Sequence, residues 1–212
     1  MTDAAPTHLT ERFDTALAYA SRIHRDQRRK GADIPYVSHL LGVAAIAIEN
    51  GGNEDQAIAA LLHDAVEDQG GAARLEDIRT RYGDAVARIV ADCTDSDGEP
   101  RPPWRARQEA YLASLSHKPA ASLEVSLADK THNADAILAD LYAHGDEVWS
   151  RFTGGKEGSL WYYRALADAF CKLAPGPGAN RLARLVSEME RAAGLPGGAN
   201  ERDRNRPIRT RR

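Results

Sequence analysis

Apolar residues recur along this chain at intervals of three and four, the period of a helix with one buried face. Phe13, Ala16, Leu17, Ala20 and Ile23 form one such stripe, with Thr10 placed to cap it. Ser38 is a capping candidate for a second helix, about Leu40 to Glu49, which Asn50-Gly51-Gly52 ends. Asn53 caps a third, with Glu54 and Asp55 favourable at its positive end. It runs through Ile58, Leu61 and Leu62 to about Asp68, where Gly70 and Gly71 stop it. Leu75 to Arg81 reads as a short helix, and Asp84 caps another that turns Val86, Ile89 and Val90 inward. Asp95 to Pro103 reads as a loop. Helices follow at Trp104 to Leu115, Ala120 to Tyr142, Ser159 to Leu173 and Arg181 to Ala193, with a turn at Pro175 to Gly178. No internal repeat and no period-two strand pattern interrupts this series. The expectation is an all-α, single-domain bundle of many helices over residues 9–194, followed by a disordered Arg-rich tail over 195–212.

Composition supports this. Ala is abundant and strand formers are sparse, which favours helix because Ala loses no side-chain entropy there. The net charge is −3. The last twelve residues carry +4, so residues 1–200 carry −7. An acidic body is the wrong partner for nucleic acid. Cys93 and Cys171 are too few for a disulfide framework and are expected as buried packing residues. No stretch has the length of a membrane span and the start lacks a signal pattern, so a reduced, cytoplasmic protein is expected.

Three segments place ionisable groups where hydrocarbon is the rule: YVSHL at 36–40, LLHDAVED at 61–68 and SLADKTHN at 126–133. Burying His63 and Asp64 without partners would cost several kcal/mol, roughly. A divalent cation supplies such a partner. Glu67 and Asp68 lie one turn beyond the pair, near enough to handle a water at the ion. Asp129 stands in another apolar run, with Asn133 one turn on, and His39 opens a helix. Two His and two Asp form an N/O donor set suited to manganese, iron, zinc, cobalt or magnesium. Each residue alone has a plainer reading. His39 could cap or pack, Asp129 could pair with Lys130, and His63-Asp64 could be an internal hydrogen bond.

The order His, His-Asp, Asp resembles the signature of the HD hydrolase superfamily. The flanking text AYASRIHRDQRRK at 18–30, PYVSH at 35–39, LLHDAVED, YGDAVARIVADCT at 82–94 and the run Leu127 to Asn133 resemble the hydrolase domain of RelA/SpoT proteins, above all the small alarmone hydrolases. That resemblance covers about residues 12–173. It implies removal of the 3′-pyrophosphate from ppGpp and pppGpp with one divalent metal, usually Mn2+. It implies metal binding by His39, His63, Asp64 and Asp129. It gives Glu67 and Asp68 the activation and orientation of water, and Arg29, Lys30 and Asn133 contacts to the nucleotide. His24 belongs to the same pattern and is expected to support or pack. WSRFTGGKEGSLWYY at 149–163 matches the family poorly.

Further candidates for substrate contact are Lys130, Lys156 and Tyr163. Lys156 follows a Gly-Gly pair but lacks the spacing of a P-loop. Trp161 and Tyr163 belong to an aromatic cluster whose plainer role is helix packing. A nucleotide is the expected partner, without membrane or nucleic acid, and self-association is left open. Two other readings stand beside the first: an HD phosphohydrolase of another nucleotide or phosphate ester, and a non-catalytic nucleotide-binding or antitoxin-like partner.

Overall fold

A computed structural model describes residues 7–94 and 102–194. Within them the fold is all-α, with no named strand and one isolated bridge between Arg28 and Pro35. The helices are α1 (Glu11–Ile23), α2 (Val37–Glu49), α3 (Glu54–Leu62), α4 (Ala65–Gln69), α5 (Gly71–Tyr82), α6 (Asp84–Cys93), α7 (Trp104–Ser114), α8 (Ala120–His144), α9 (Gly155–Leu173) and α10 (Pro177–Ala192). Short 3-10 segments follow α7 and α8, at Leu115–His117 and Gly145–Arg151. None of these helices is long and apolar enough to cross a membrane.

Local chemistry explains most boundaries. Thr10 accepts from the Arg12 amide and caps α1. Asn53 and Gln56 exchange hydrogen bonds at the start of α3, a full capping box. Pro177 opens α10 at its first position, where a missing N–H costs nothing. The turn expected over Pro175 to Gly178 is therefore half helix.

Several expectations need correction. Asp84 does not cap α6: it is the first helical residue, after Gly83, and no side chain caps that end. The second helix starts at Val37, with Tyr36 before it and no side-chain cap, so Ser38 is inside. The third helix is not continuous to Asp68. It ends at Leu62, and α4 begins at Ala65. The segment after Gly71 is helical from that residue, longer than the stripe of apolar side chains suggested. Cys171 is exposed, on the outer side of α9, while Cys93 is half-buried with its thiol 3.6 Å from Ser126. The loop expected over Asp95 to Pro103 falls almost wholly outside the described residues, as does the Arg-rich tail.

Two apolar cores form. The first joins α1 to α6 through residues such as Leu40, Ile58, Leu61, Ile78 and Val86. The second joins α7 to α10 through Leu115, Leu160, Phe170, Leu182 and Met189. Helix α8 serves both: Val125 and Ala128 face the first, Leu123 and Leu127 the second. A fully buried Leu contributes about 1.5–3 kcal/mol by leaving water. The polar residues that α8 carries between these faces are thereby fixed against α2 and α3, which also pack on it.

Candidate metal and nucleotide site

The break between α3 and α4 is what makes the His-Asp pair usable. His63 keeps helical angles, but Asp64 sits at φ −93°, ψ −2°, between the helical and extended regions. Loosening one turn lets two adjacent side chains converge, which a regular helix would splay about 100° apart. The amide of Asp68 still donates to the Asp64 carbonyl at 3.0 Å, so the next turn stays in register.

Four side chains from three places meet there. His63 Nε2 lies 2.9 Å from Asp64 Oδ2 and 3.5 Å from Asp129 Oδ1. His39 Nε2 lies 3.5 Å and 3.3 Å from the same two oxygens. The donor atoms of His39, His63 and Asp129 all fall within 4.8 Å of one another. Nitrogen and oxygen donors about 2.0–2.2 Å from one ion stand about 3–3.5 Å apart, so these spacings are those of co-ligands.

The imidazole of His63 tests the fit. Its Nδ1 is 2.9 Å from the Ala60 carbonyl, which makes Nδ1 the protonated nitrogen. Nε2 is buried and has no hydrogen bond of proper alignment, although Asp64 is near. Lone pairs that converge without forming an aligned hydrogen bond suit a cation between them better than a donor–acceptor pair. Burial alone would depress the His63 pKa, but Asp64 and Asp129 more than reverse this and hold it well above the usual histidine value when only a proton is present. Burial raises both carboxyls, and their neighbours outweigh it: His63 and a hydrogen bond from His39 lower Asp64, and Lys130 with hydrogen bonds from both imidazoles lowers Asp129. The donor set is N/O throughout, which fits a borderline or hard divalent ion.

Each ligand candidate is held from behind. The Tyr36 hydroxyl donates to Asp64 Oδ2 at 2.6 Å, and burial followed by that carboxylate drives the phenol pKa far up, so it stays a donor. Asn133 Nδ2 donates to Asp129 Oδ1 at 2.6 Å, and Lys130 Nζ to Oδ2 at 2.9 Å. His39 Nδ1 lies 3.0 Å from His132 Nδ1. Burial, then the nearness of His39 and Arg29, lowers His132 to about 4. A neutral His132 accepts the Nδ1 proton of His39 and leaves His39 Nε2 its lone pair, the usual support of a ligating histidine.

Asp68 is likewise positioned. Gln27 Nε2 donates to Asp68 Oδ2 at 2.7 Å, while Gln27 Oε1 receives His24 Nδ1 at 2.6 Å and Gln69 Nε2 at 2.7 Å. Two donors on the oxygen fix which way the amide faces. His24 itself is buried, stacked 5.4 Å from the Tyr36 ring, and burial lowers its pKa. Glu67 is exposed on α4, whereas a four-residue spacing in an unbroken helix would have set it on the buried face of His63; the break after Leu62 separates the two.

The nucleotide candidates divide. Arg29 Nη2 donates to Asn133 Oδ1 at 3.0 Å, so a chain of two hydrogen bonds runs from Arg29 through Asn133 to Asp129. Lys30 is exposed on the same turn. Lys130 lies 4.8 Å over the Tyr111 ring, and Asp129 keeps it charged against its burial. Tyr163 is buried, which raises its pKa, and it feels the charges of Lys130, Asp129 and Arg29. Lys156 goes elsewhere. It bonds both oxygens of Asp146 at 2.9 and 2.8 Å and lines a cavity of about 410 Å³ with Trp161, Arg164 and Glu190. The two glycines before it have local reasons: a Cβ on Gly154 would stand 2.5 Å from the Trp104 ring, and Gly155 has a φ of +58°.

Sequence reading missed Gln27, Tyr36 and Gly42, whose missing Cβ leaves room for the His132 ring. Tyr36 and Gln27 stood inside recognised text without a chemical oddity to mark them. His132 lies in the 126–133 segment next to Asn133, but its partner across the helix crossing is not legible there.

The HD domain family matches residues 16–160. Over 138 residues the chain is 39% identical to the guanosine-3′,5′-bis(diphosphate) 3′-pyrophosphohydrolase MESH1 of Xenopus tropicalis, covering 64% of this chain and 72% of that protein. The Homo sapiens counterpart is 36% identical over the same shares. A solved structure of a metazoan SpoT ortholog that hydrolyses ppGpp superposes with a TM-score of 0.65 at 27% identity, over 89% of this chain and 99% of that one. The lmo0812 protein of Listeria monocytogenes gives 0.62 at 31%, over 70% and 96%. The chain belongs to the HD domain family.

Proposed function

We propose that residues 9–194 form a metal-dependent 3′-pyrophosphohydrolase of guanosine 3′,5′-bis(diphosphate) and its triphosphate counterpart, acting in the cytoplasm. One observation carries the reading: the convergence of two imidazoles and two carboxylates, spaced 2.9–3.5 Å apart, around a buried nitrogen without an aligned partner. The names of the relatives supply the substrate class.

His39, His63, Asp64 and Asp129 are the residues that would hold the ion, with Mn2+ the first choice. A divalent cation supplies Lewis acidity, lowering the pKa of water and offsetting charge on phosphoryl oxygens. Glu67 and Asp68 orient the attacking water and accept its proton, with Gln27 holding Asp68 in place. The water oxygen bonds to the phosphorus nearest the ribose, the bond from that phosphorus to the 3′ oxygen breaks, and the 3′ oxygen takes up a proton. Pyrophosphate and GDP or GTP result. Arg29, Lys30, Lys130 and Asn133 gather the phosphates against the acidic body, and Tyr163 closes the pocket beside them.

The test is incubation of the manganese-loaded protein with ppGpp, pppGpp and a panel of 3′-phosphorylated nucleotides. Pyrophosphate with GDP or GTP supports the reading. Orthophosphate from other nucleotides, or tight binding without release, rejects it in favour of a different ester or a sensor. Asp64→Ala should abolish turnover.

A further inference from the structure

Arg151 lies outside the family-like text, yet the fold brings it into line with the nucleotide candidates. It ends the 3-10 segment after α8, and its Nη1 donates to Asp140 at 2.7 Å. Asp140 comes seven residues after Asn133 and eleven after Asp129, spacings that return all three to one face of α8. The rise of a helix puts Asp140 ~10 Å beyond Asn133 and ~16 Å beyond Asp129 along the axis.

The stem of Arg151 crosses the turn that follows Arg29 and Lys30. A Cβ built on Gly31 would stand 2.7 Å from Arg151 Cδ, and Gly31 has a φ of +76°. Any other residue at Gly31 would strain the backbone and push the arginine away. The side chain is thus held at two points, by Asp140 at the head and by Gly31 along the stem, with a quarter of it exposed. A guanidinium has five N–H donors in a planar fork, and the Asp140 bond engages one. Arg29 and Arg151 therefore form two steps of positive charge along α8, with the metal cluster at one end. That layout suits an elongated anion charged at both ends.

We infer that Arg151 is the contact for the 5′ phosphates of a nucleotide whose 3′ phosphate group lies at the metal cluster. This rests on the nucleotide reading above. The bidentate match of guanidinium to phosphate favours it, as does the place of the 5′ group beyond the ribose from the scissile bond.

The experiment compares guanosine 3′,5′-bis(diphosphate) with guanosine 3′-diphosphate, which lacks 5′ phosphates. Binding is measured calorimetrically on the full, manganese-loaded chain carrying Glu67→Gln to slow turnover, with and without Arg151→Ala or Arg151→Lys. Arg151→Ala should weaken the bis(diphosphate) about 10- to 100-fold, the scale of a charge-assisted hydrogen bond, and Arg151→Lys should restore part of it. The 3′-diphosphate should change less than twofold. Equal losses on both compounds would make Arg151 a brace between α8 and its connector and overturn the inference. A native chain that binds neither compound sinks both proposals. Arg151-dependent binding without any pyrophosphate release from the native chain sinks only the catalytic one.

Discussion

Gly42 on α2 leaves the space that the His132 ring of α8 occupies: a Cβ there would stand 2.1 Å from His132 Cδ2. The glycine's absent side chain is what lets His132 reach His39 Nδ1 at 3.0 Å. The consequence is a helix position where the better helix former is the worse residue. Gly42→Ala gains up to about 1 kcal/mol of helix propensity but must displace the imidazole. We expect the far-ultraviolet circular dichroism to stay and the metal affinity to drop about 10- to 100-fold, the usual effect of losing a ligand's support. Unchanged affinity in a calorimetric titration with Mn2+ would show that His132 does not support His39.

Gln27 should affect turnover more than binding. Gln27→Ala leaves Asp68 without its amide donor, and kcat should drop about tenfold, less than the roughly 100- to 10,000-fold that a positioned acid or base itself contributes, with KM little changed. Gln27→Glu places a second carboxylate beside Asp68 and should move the acid limb of the pH–rate profile upward, because like charges disfavour ionisation. A profile identical to the native one would remove Gln27 from the site.

Proton and metal compete for the same nitrogen, and the sign can be worked out. The folded pKa of His63 is raised, so the stability it contributes without metal is full below the unfolded value of about 6.5 and is lost as pH rises through the folded value. Asp64 and Asp129 are lowered, so their contribution is present above about 3.9 and is lost as pH falls further. The metal-free protein should therefore lose stability above neutrality, where the two carboxylates face each other across a neutral ring. Metal binding should release protons, and the rise in Tm on adding Mn2+ should be larger at pH 9 than at pH 6. An equal or smaller rise at pH 9 contradicts the assignment of His63.

Lys156 provides the negative control. Its ammonium is committed to Asp146, at the head of the 3-10 segment that ends in Arg151. Lys156→Ala should change kcat/KM on ppGpp by less than about threefold and stability by no more than about 1 kcal/mol, as for other exposed ion pairs. A tenfold loss of kcat/KM would return Lys156 to the substrate pocket.

Leu62 is wholly buried and immediately precedes the His-Asp pair. Leu62→Ala should cost about 2–5 kcal/mol in denaturant unfolding, through lost burial and the cavity left behind. A cost under 1 kcal/mol would mean that the turn relaxes into the space.

Much of this could be read before the structure. His63, Asp64 and Asp129 stand out because charge inside an apolar helical run demands a partner, and periodicity located the helices around them. The break after Leu62 could not be read, since Ala, Leu and Val on both sides favour a continuous helix. Gly42 and His132 were illegible for another reason: their relation exists only where α2 crosses α8. Arg151 sits in a 3-10 segment with no apolar period, and its bearing on Gly31 depends on that segment's path. At Lys156 the Gly-Gly-Lys text gave only a weak phosphate signal, and Gly154 has a packing reason instead, since it makes room for Trp104.

Helix α8 is a shared wall, and this sets what the protein can lose. Asp129 sits on it between the two cores, so neither half owns the complete cluster. A nick that frees α9 and α10 would strip one side of that wall and loosen a ligand far from the cut. An ion bridging α2, the α3–α4 junction and α8 would in return rivet the wall to the first core, so that damage in the C-terminal helices is felt first as leakage of metal.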